Sequence, residues 1–210
     1  MNETASKLLR LLGIVIVSAV IGIFLGHLVS NYEVRYMLSR KYIGEYNGIE
    51  IYQTGDVNEE NLALHKAMLE YAPDVLTECC DRLYFVGSDL ELPAQEAIGI
   101  GQALGLTQNR TIYISTEGYS PYVVFHELFH AYDNAHDEIS SNDLTFISAF
   151  NENRGVIPVF AAHASAYSSE FFAQSGAMYL LLPNELEVEA PETFSFFHDK
   201  LQIPGLELKS

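Results

Sequence analysis

The sequence predicts an α+β domain preceded by one apolar N-terminal helix. Three observations carry this expectation. Alternating apolar residues and turn signals fill the stretch from Tyr42 to Ser115, helical spacing takes over from Pro121, and residues 11–29 hold no formally charged side chain. A chain of 210 residues is long enough for one domain with a sizeable core and does not require two.

The apolar stretch "LLGIVIVSAVIGIFLGHLV", Leu11 to Val29, is close to the ~20 residues that span the hydrocarbon core of a bilayer. Lys7 and Arg10 precede it, so the positive-inside rule keeps residues 1–10 in the cytoplasm and puts the rest of the chain outside. Arg35, Arg40 and Lys41 on the far side weaken that bias. The exit "GHLVSNYEV" lacks the small-x-small pattern of a cleavage site, which favours an uncleaved anchor over a secreted product. The expected organisation is a cytoplasmic end at 1–10, a transmembrane anchor at 11–29, a stem at 30–47 and the folded domain at 48–210.

Each element then has its own signal. "YIGEYNGIEIYQ" alternates around Asn47-Gly48, which reads as a hairpin or as a stem followed by one strand. "VNEENLALHKAMLEYAPDVLTECC" has helical spacing, with Asn58 a candidate N-cap and Pro73 a kink or division. "RLYFVG" reads as a short buried strand. "AIGIGQALGL", the turn "TQNR" and "TIYIS" suggest a second hairpin whose glycine-bearing member lies at an edge. Helices are expected from Pro121 onward, including "SSEFFAQSGAMYLLL" up to Pro183.

A formal net charge of −17 with 11 Lys and Arg argues against nucleic acid as a partner, because such a surface repels polyphosphate. Cys79 and Cys80 are neighbours, a spacing that excludes an ordinary disulfide and a cysteine-based zinc site.

The chemistry concentrates in "VVFHELFHAYD". Residues four apart stand on one face of a helix, so His126 and His130 can direct ring nitrogens at one ion. Glu127 is rotated about 100° from His126 and reaches a water beside that ion, which suits a general base better than a ligand. Val123, Val124, Phe125, Leu128, Phe129 and Ala131 make the helix apolar nearly all round. Burying a carboxylate and two imidazoles without partners would cost several kcal/mol.

Catalytic zinc takes three protein ligands. His136 has the spacing of a third ligand, but Asp133 stands where the glycine of that longer motif should be. Glu170, on the second apolar helix, is the better candidate. Gln174 follows it by one turn and is expected to accept a hydrogen bond from a ligand imidazole, with Asp133 a further supporting residue. One zinc ion per chain is expected.

Three blocks of this sequence resemble the catalytic domain of anthrax lethal factor and its relatives, the Pro-Pro endopeptidases among them. "HELFHAYD" is similar to the family's His-Glu-Phe-Gly-His-Ala-Val-Asp, "EFFAQS" to its Glu-Phe-Phe-Ala-Glu-Ala, and "APETFSFFHD" to its closing Ala-Pro-x-Thr-Phe-x-Phe segment. The likeness runs from about Gly48 to Ile203. It implies a zincin-like metallopeptidase domain with a small mixed sheet, a His-Glu-x-x-His helix and a helical C-terminal subdomain. It also implies His126, His130 and Glu170 as zinc ligands, Glu127 as base, and a peptide or protein as substrate.

The departures are equally specific. The family carries a tyrosine seven residues before the third ligand, where this chain has His163. Either His163 or Tyr167 is expected to stabilise the oxyanion. Gln174 replaces a glutamate, and Phe129 replaces a helix glycine. A substrate would lie extended along "AIGIGQALGL", with Gly99 and Gly101 permitting close approach. The competing expectation is a weakly active or inactive zinc-binding surface module. Nothing in the sequence specifies an oligomeric state.

Overall fold

A computed structural model describes residues 39–88, 92, 104–155 and 166–206. Lys41–Ser210 form one compact unit, separate from Met1–Arg40. The expected anchor at 11–29 lies outside the described residues, as do His163, Gly99 and Gly101. Among the described residues no helix is long and apolar enough to cross a membrane.

The described strands form one mixed sheet of order β1-β2-β3-β5-β4. β1 (Lys41–Tyr46) and β2 (Ile49–Thr54) are antiparallel. Asn47 and Gly48 turn between them with φ of 46° and 84°, the left-handed pair that a two-residue hairpin requires. The hairpin reading of this stretch holds, so the last residues of the expected stem supply the first strand and the sheet begins at Lys41 instead of Gly48. Ile43 and Tyr46 pack against the core, although an outer strand with partly exposed residues on both faces shows only faint alternation.

Asn58 caps α1 (Glu59–Leu69), its Oδ1 accepting from the amides of Glu60 and Asn61 at 3.1 Å each. Pro73 divides the helical stretch, and α2 (Asp74–Thr77) follows it. This helical crossover lets β3 (Arg82–Val86) run parallel to β2. β3 is also parallel to β5 (Thr111–Ser115). β4 (Gly105–Gln108) pairs antiparallel with β5 through the turn Asn109-Arg110. Among the described strands β4 lies at an edge; most of the stretch expected there, residues 97–103, lies outside the described residues. Thr107 and Gln108, expected in the turn, are strand residues paired with Ile112 and Thr111.

The two-residue period sorts this sheet into two faces. Ile51, Leu83, Phe85, Ile112 and Ile114 enter the core, while Tyr52, Tyr84 and Tyr113 stack on the opposite face with centroids 5.1 and 5.2 Å apart.

α3 (Pro121–Ala135) opens with Ser120, whose Oγ accepts from the Tyr122 amide, and with proline in its first turn. It lies against the sheet on one side and α6 (Ser168–Leu181) on the other. Between them in sequence run α4 (Ile139–Asn142) and α5 (Leu144–Asn153). α7 (Pro183–Glu189), α8 (Pro191–Ser195) and a π-helical turn, Phe196–Lys200, close the described chain.

"APETFSFFHD" closes the core behind α3. Phe196 and Phe197 are buried beside Phe146, Phe171 and Phe172, with ring centroids 5.1–6.4 Å apart around Phe146. Each such ring contributes roughly 1.5–3 kcal/mol by leaving water. Phe129 joins them, 5.9 Å from Phe172 and 5.4 Å from Phe197. Its ring occupies the face of Gly176 on α6, where an added Cβ would lie 2.6 Å from ring carbons. Gly176 thus leaves room for Phe129, which stands where the resemblance places a glycine.

Candidate metal centre

α3 and α6 bring three side chains to one point. His126 and His130 stand one turn apart with their Nε2 atoms 3.1 Å from each other. Glu170, in the first turn of α6, places Oε2 3.4 Å from His126 Nε2 and Oε1 3.5 Å from His130 Nε2. All three donors lie within 4.8 Å of one another and are half-buried. Zinc bonds of ~2.0–2.2 Å in tetrahedral geometry set ligand atoms roughly 3.3–3.5 Å apart. The two carboxylate–imidazole separations fall at that spacing and the imidazole pair is slightly closer at 3.1 Å, and two imidazoles with one carboxylate are a donor set that zinc accepts.

The two neighbouring carboxylates have opposite proton affinities. For Glu170, burial opposes ionisation, but the imidazoles of His126 and His130 outweigh it and hold the carboxyl well below the usual range. For Glu127, burial dominates and pushes the carboxyl up to about 7, with His126 and Thr107 pulling it down and Glu170 adding to the rise. Glu127 is 4% exposed, lies against β4 and is not one of the three clustered donors, though His126 and Glu170 both act on its charge. Its Oε2 accepts from Thr107 Oγ at 2.7 Å. Gly105 leaves it room, since a Cβ there would lie 2.7 Å from Glu127 Cγ.

Other expected residues stand elsewhere. His136 is exposed, stacked on Tyr132, with Nδ1 2.8 Å from the Tyr132 carbonyl oxygen; it is not in the cluster. α3 ends there without glycine because Asp137 and Glu138 take the left-handed conformation, φ 57° and 52°. Asp133, expected to support the ligands, gives its carboxylate to Ser140, accepting from its amide at 2.8 Å and its hydroxyl at 2.6 Å. It holds the chain reversal into α4. Gln174 is buried with its Nε2 unpaired, and among the described residues no hydrogen bond joins it to either imidazole. Tyr167 is the N-cap residue of α6 and 59% exposed. His163, Gly99 and Gly101 fall outside the described residues.

Sequence reasoning missed Thr107 and Gly105. A threonine in a polar strand carries no signal of its own. A glycine-bearing edge strand was expected, but the residue that meets Glu127 lies a few positions beyond the glycines singled out.

An α+β domain with a histidine pair on a core helix, a glutamate on a later helix and a carboxylate at a sheet edge has the form of a zincin-like metallopeptidase. Residues 107–200 match the family described as anthrax toxin lethal factor, N- and C-terminal domain. Among solved structures, the fold is similar to that of the Pro-Pro endopeptidase PPEP-2 from Paenibacillus alvei. The TM-score is 0.53 and the identity 22%, over 72% of this chain and 96% of that one. No curated protein sequence matches. The chain resembles the lethal-factor-like zinc metallopeptidases, in agreement with its sequence motifs.

Proposed function

We propose that this chain is a zinc-dependent endopeptidase, anchored in the cell membrane by residues 11–29 with its folded domain outside. The observation that carries the catalytic reading is the convergence of His126, His130 and Glu170 beside a buried Glu127. Zinc held by those three would polarise a scissile carbonyl and lower the pKa of water. Glu127 takes the proton of the attacking water and delivers it to the leaving amine. His163 or Tyr167 donates to the developing oxyanion. An extended peptide pairs with the edge of β4 that is open among the described residues, and Gly99 and Gly101 earlier in the same stretch of sequence would permit close approach. The anchor reading rests on the uncharged stretch behind Lys7 and Arg10.

Metal analysis of the purified full chain should find about one zinc per chain. Against a peptide library that includes proline-flanked bonds, Glu127→Ala should cleave about 1,000-fold more slowly than wild type while retaining zinc. Equal cleavage by both proteins would remove Glu127 as base. Retained zinc without any Glu127-dependent cleavage would identify a binding module, which the replacements at His163 and Gln174 favour. Protease digestion of intact cells should degrade the domain; protection until lysis would reverse the orientation.

A further inference from the structure

The edge strand β4 holds the base as well as bordering the site. Ser115 donates its amide to the Leu104 carbonyl oxygen at 2.8 Å. In the antiparallel register of β4 and β5, the directly bonded pairs are then Leu104/Ser115, Leu106/Tyr113 and Gln108/Thr111. Gly105 and Thr107 alternate with these, so their backbone polar groups point away from β5 to the edge that is open among the described residues. Their side-chain direction is the core face, where both meet Glu127. The Thr107 hydroxyl lies 2.7 Å from Glu127 Oε2 and 3.0 Å from the Glu127 carbonyl oxygen. Gly105 supplies the space in which the carboxylate rests. The two residues whose backbone would pair with an added strand are thus the two that contact the base.

We infer that Thr107 is a positioning residue for Glu127: its hydroxyl fixes the carboxylate on the edge strand, in line with the backbone groups that receive a peptide. This rests on the endopeptidase reading. A carboxylate on a helix has several side-chain rotamers, and one short hydrogen bond from a strand selects among them without touching the metal ligands. Thr107 acts through Glu127 and is not itself a reacting group.

Thr107→Val keeps the shape and removes the hydroxyl; Thr107→Ser keeps the hydroxyl. Measured on the full chain in detergent, Thr107→Val should lower kcat about 10-fold, with KM within about twofold and zinc content unchanged. Thr107→Ser should recover most of the loss. A parallel measurement avoids activity altogether. In zinc-free protein, Thr107→Val should lower Tm by about 4 °C, and by about half as much in a Glu127→Leu background, where the single hydroxyl proton is left only the weaker, neutral carbonyl acceptor of residue 127. An unchanged kcat, a loss that Ser does not repair, a fall in zinc content, or an equal Tm drop in both backgrounds overturns the inference. If wild type cleaves no peptide, the endopeptidase reading fails by itself, and the zinc-free cycle alone decides whether Thr107 holds Glu127.

Discussion

α3 has two working sides, built on opposite principles. Toward β4 and the start of α6 it presents His126, Glu127 and His130, whose placement depends on a few directional contacts of 2.7–3.5 Å. Toward the middle of α6 and the C-terminal aromatic cluster it presents Phe129, held by ring packing and by the absence of a side chain at Gly176. The polar side gains specificity at the expense of desolvated charge, whereas the aromatic side gains stability from area and shape. The back of the helix provides the rigidity that the front needs for three donors to meet.

The sharpest test of this division removes a ligand. Glu170→Ala should reduce bound zinc from about one per chain to near zero and abolish metal-dependent cleavage, while the fold persists by circular dichroism. Collapse of the fold would show that the polar side also supports the core.

A pH titration of zinc-free protein separates the two carboxylates. Glu127 ionises near 4.5 when unfolded and near 7 when folded, so over that interval the unfolded chain has lost a proton that the folded chain keeps. Its stabilising contribution is present at low pH and falls as pH rises through about 7, by about 3 kcal/mol. Glu170 has the opposite sign, with stability that is lost as pH falls through the carboxylate range. Wild type should therefore lose stability relative to Glu127→Gln between pH 4.5 and pH 8 in denaturant titrations; parallel curves would refute the burial of Glu127 as its dominant influence.

On the aromatic side, Gly176→Ala should cost about 2 kcal/mol through its collision with the Phe129 ring, lowering Tm by about 6 °C. A second substitution, Phe129→Leu, should cost less in that background than alone. Strict additivity would mean that the two do not share space. The smallest expected effect is that of Ser140→Ala, about 1 kcal/mol from the lost hydroxyl donor to Asp133, with zinc affinity unchanged. A fall in zinc affinity would return Asp133 to a role in supporting the ligands.

Much of the candidate metal centre was legible because its geometry is local. Four-residue spacing on an apolar helix puts His126 and His130 together, and Asn58 and Pro73 punctuate the first helical stretch through their own backbone chemistry. Glu170 was legible from a second apolar helix and a family resemblance, not from spacing. Less was legible where function depends on contacts between strands and helices. Thr107 lies 20 residues from Glu127, and nothing periodic connects them. The hairpin turn at Asn47-Gly48 was legible but not the start of its first strand, whose exposure is mixed, and nothing periodic connects Gly176 with Phe129. Asp133 was expected to support the zinc ligands, but the sharp reversal after Ala135 takes its carboxylate through Ser140.

The turn Asn109-Arg110 carries more weight than its length suggests. Arg110 is tied down by Asp81 at 2.8 Å and by the Glu78 carbonyl oxygen at 2.6 Å, so the hairpin is anchored at its tip. Strand residues alternate between faces, and a slip of one position would exchange them. Leu106 and Gln108 would then replace Gly105 and Thr107 beside Glu127, putting a bulky side chain where the carboxylate now rests. Inserting a single residue at this exposed turn would re-address the wall against Glu127 from a distance, which makes hairpin length a variable that sets the surroundings of that carboxylate while His126, His130 and Glu170 stay in place.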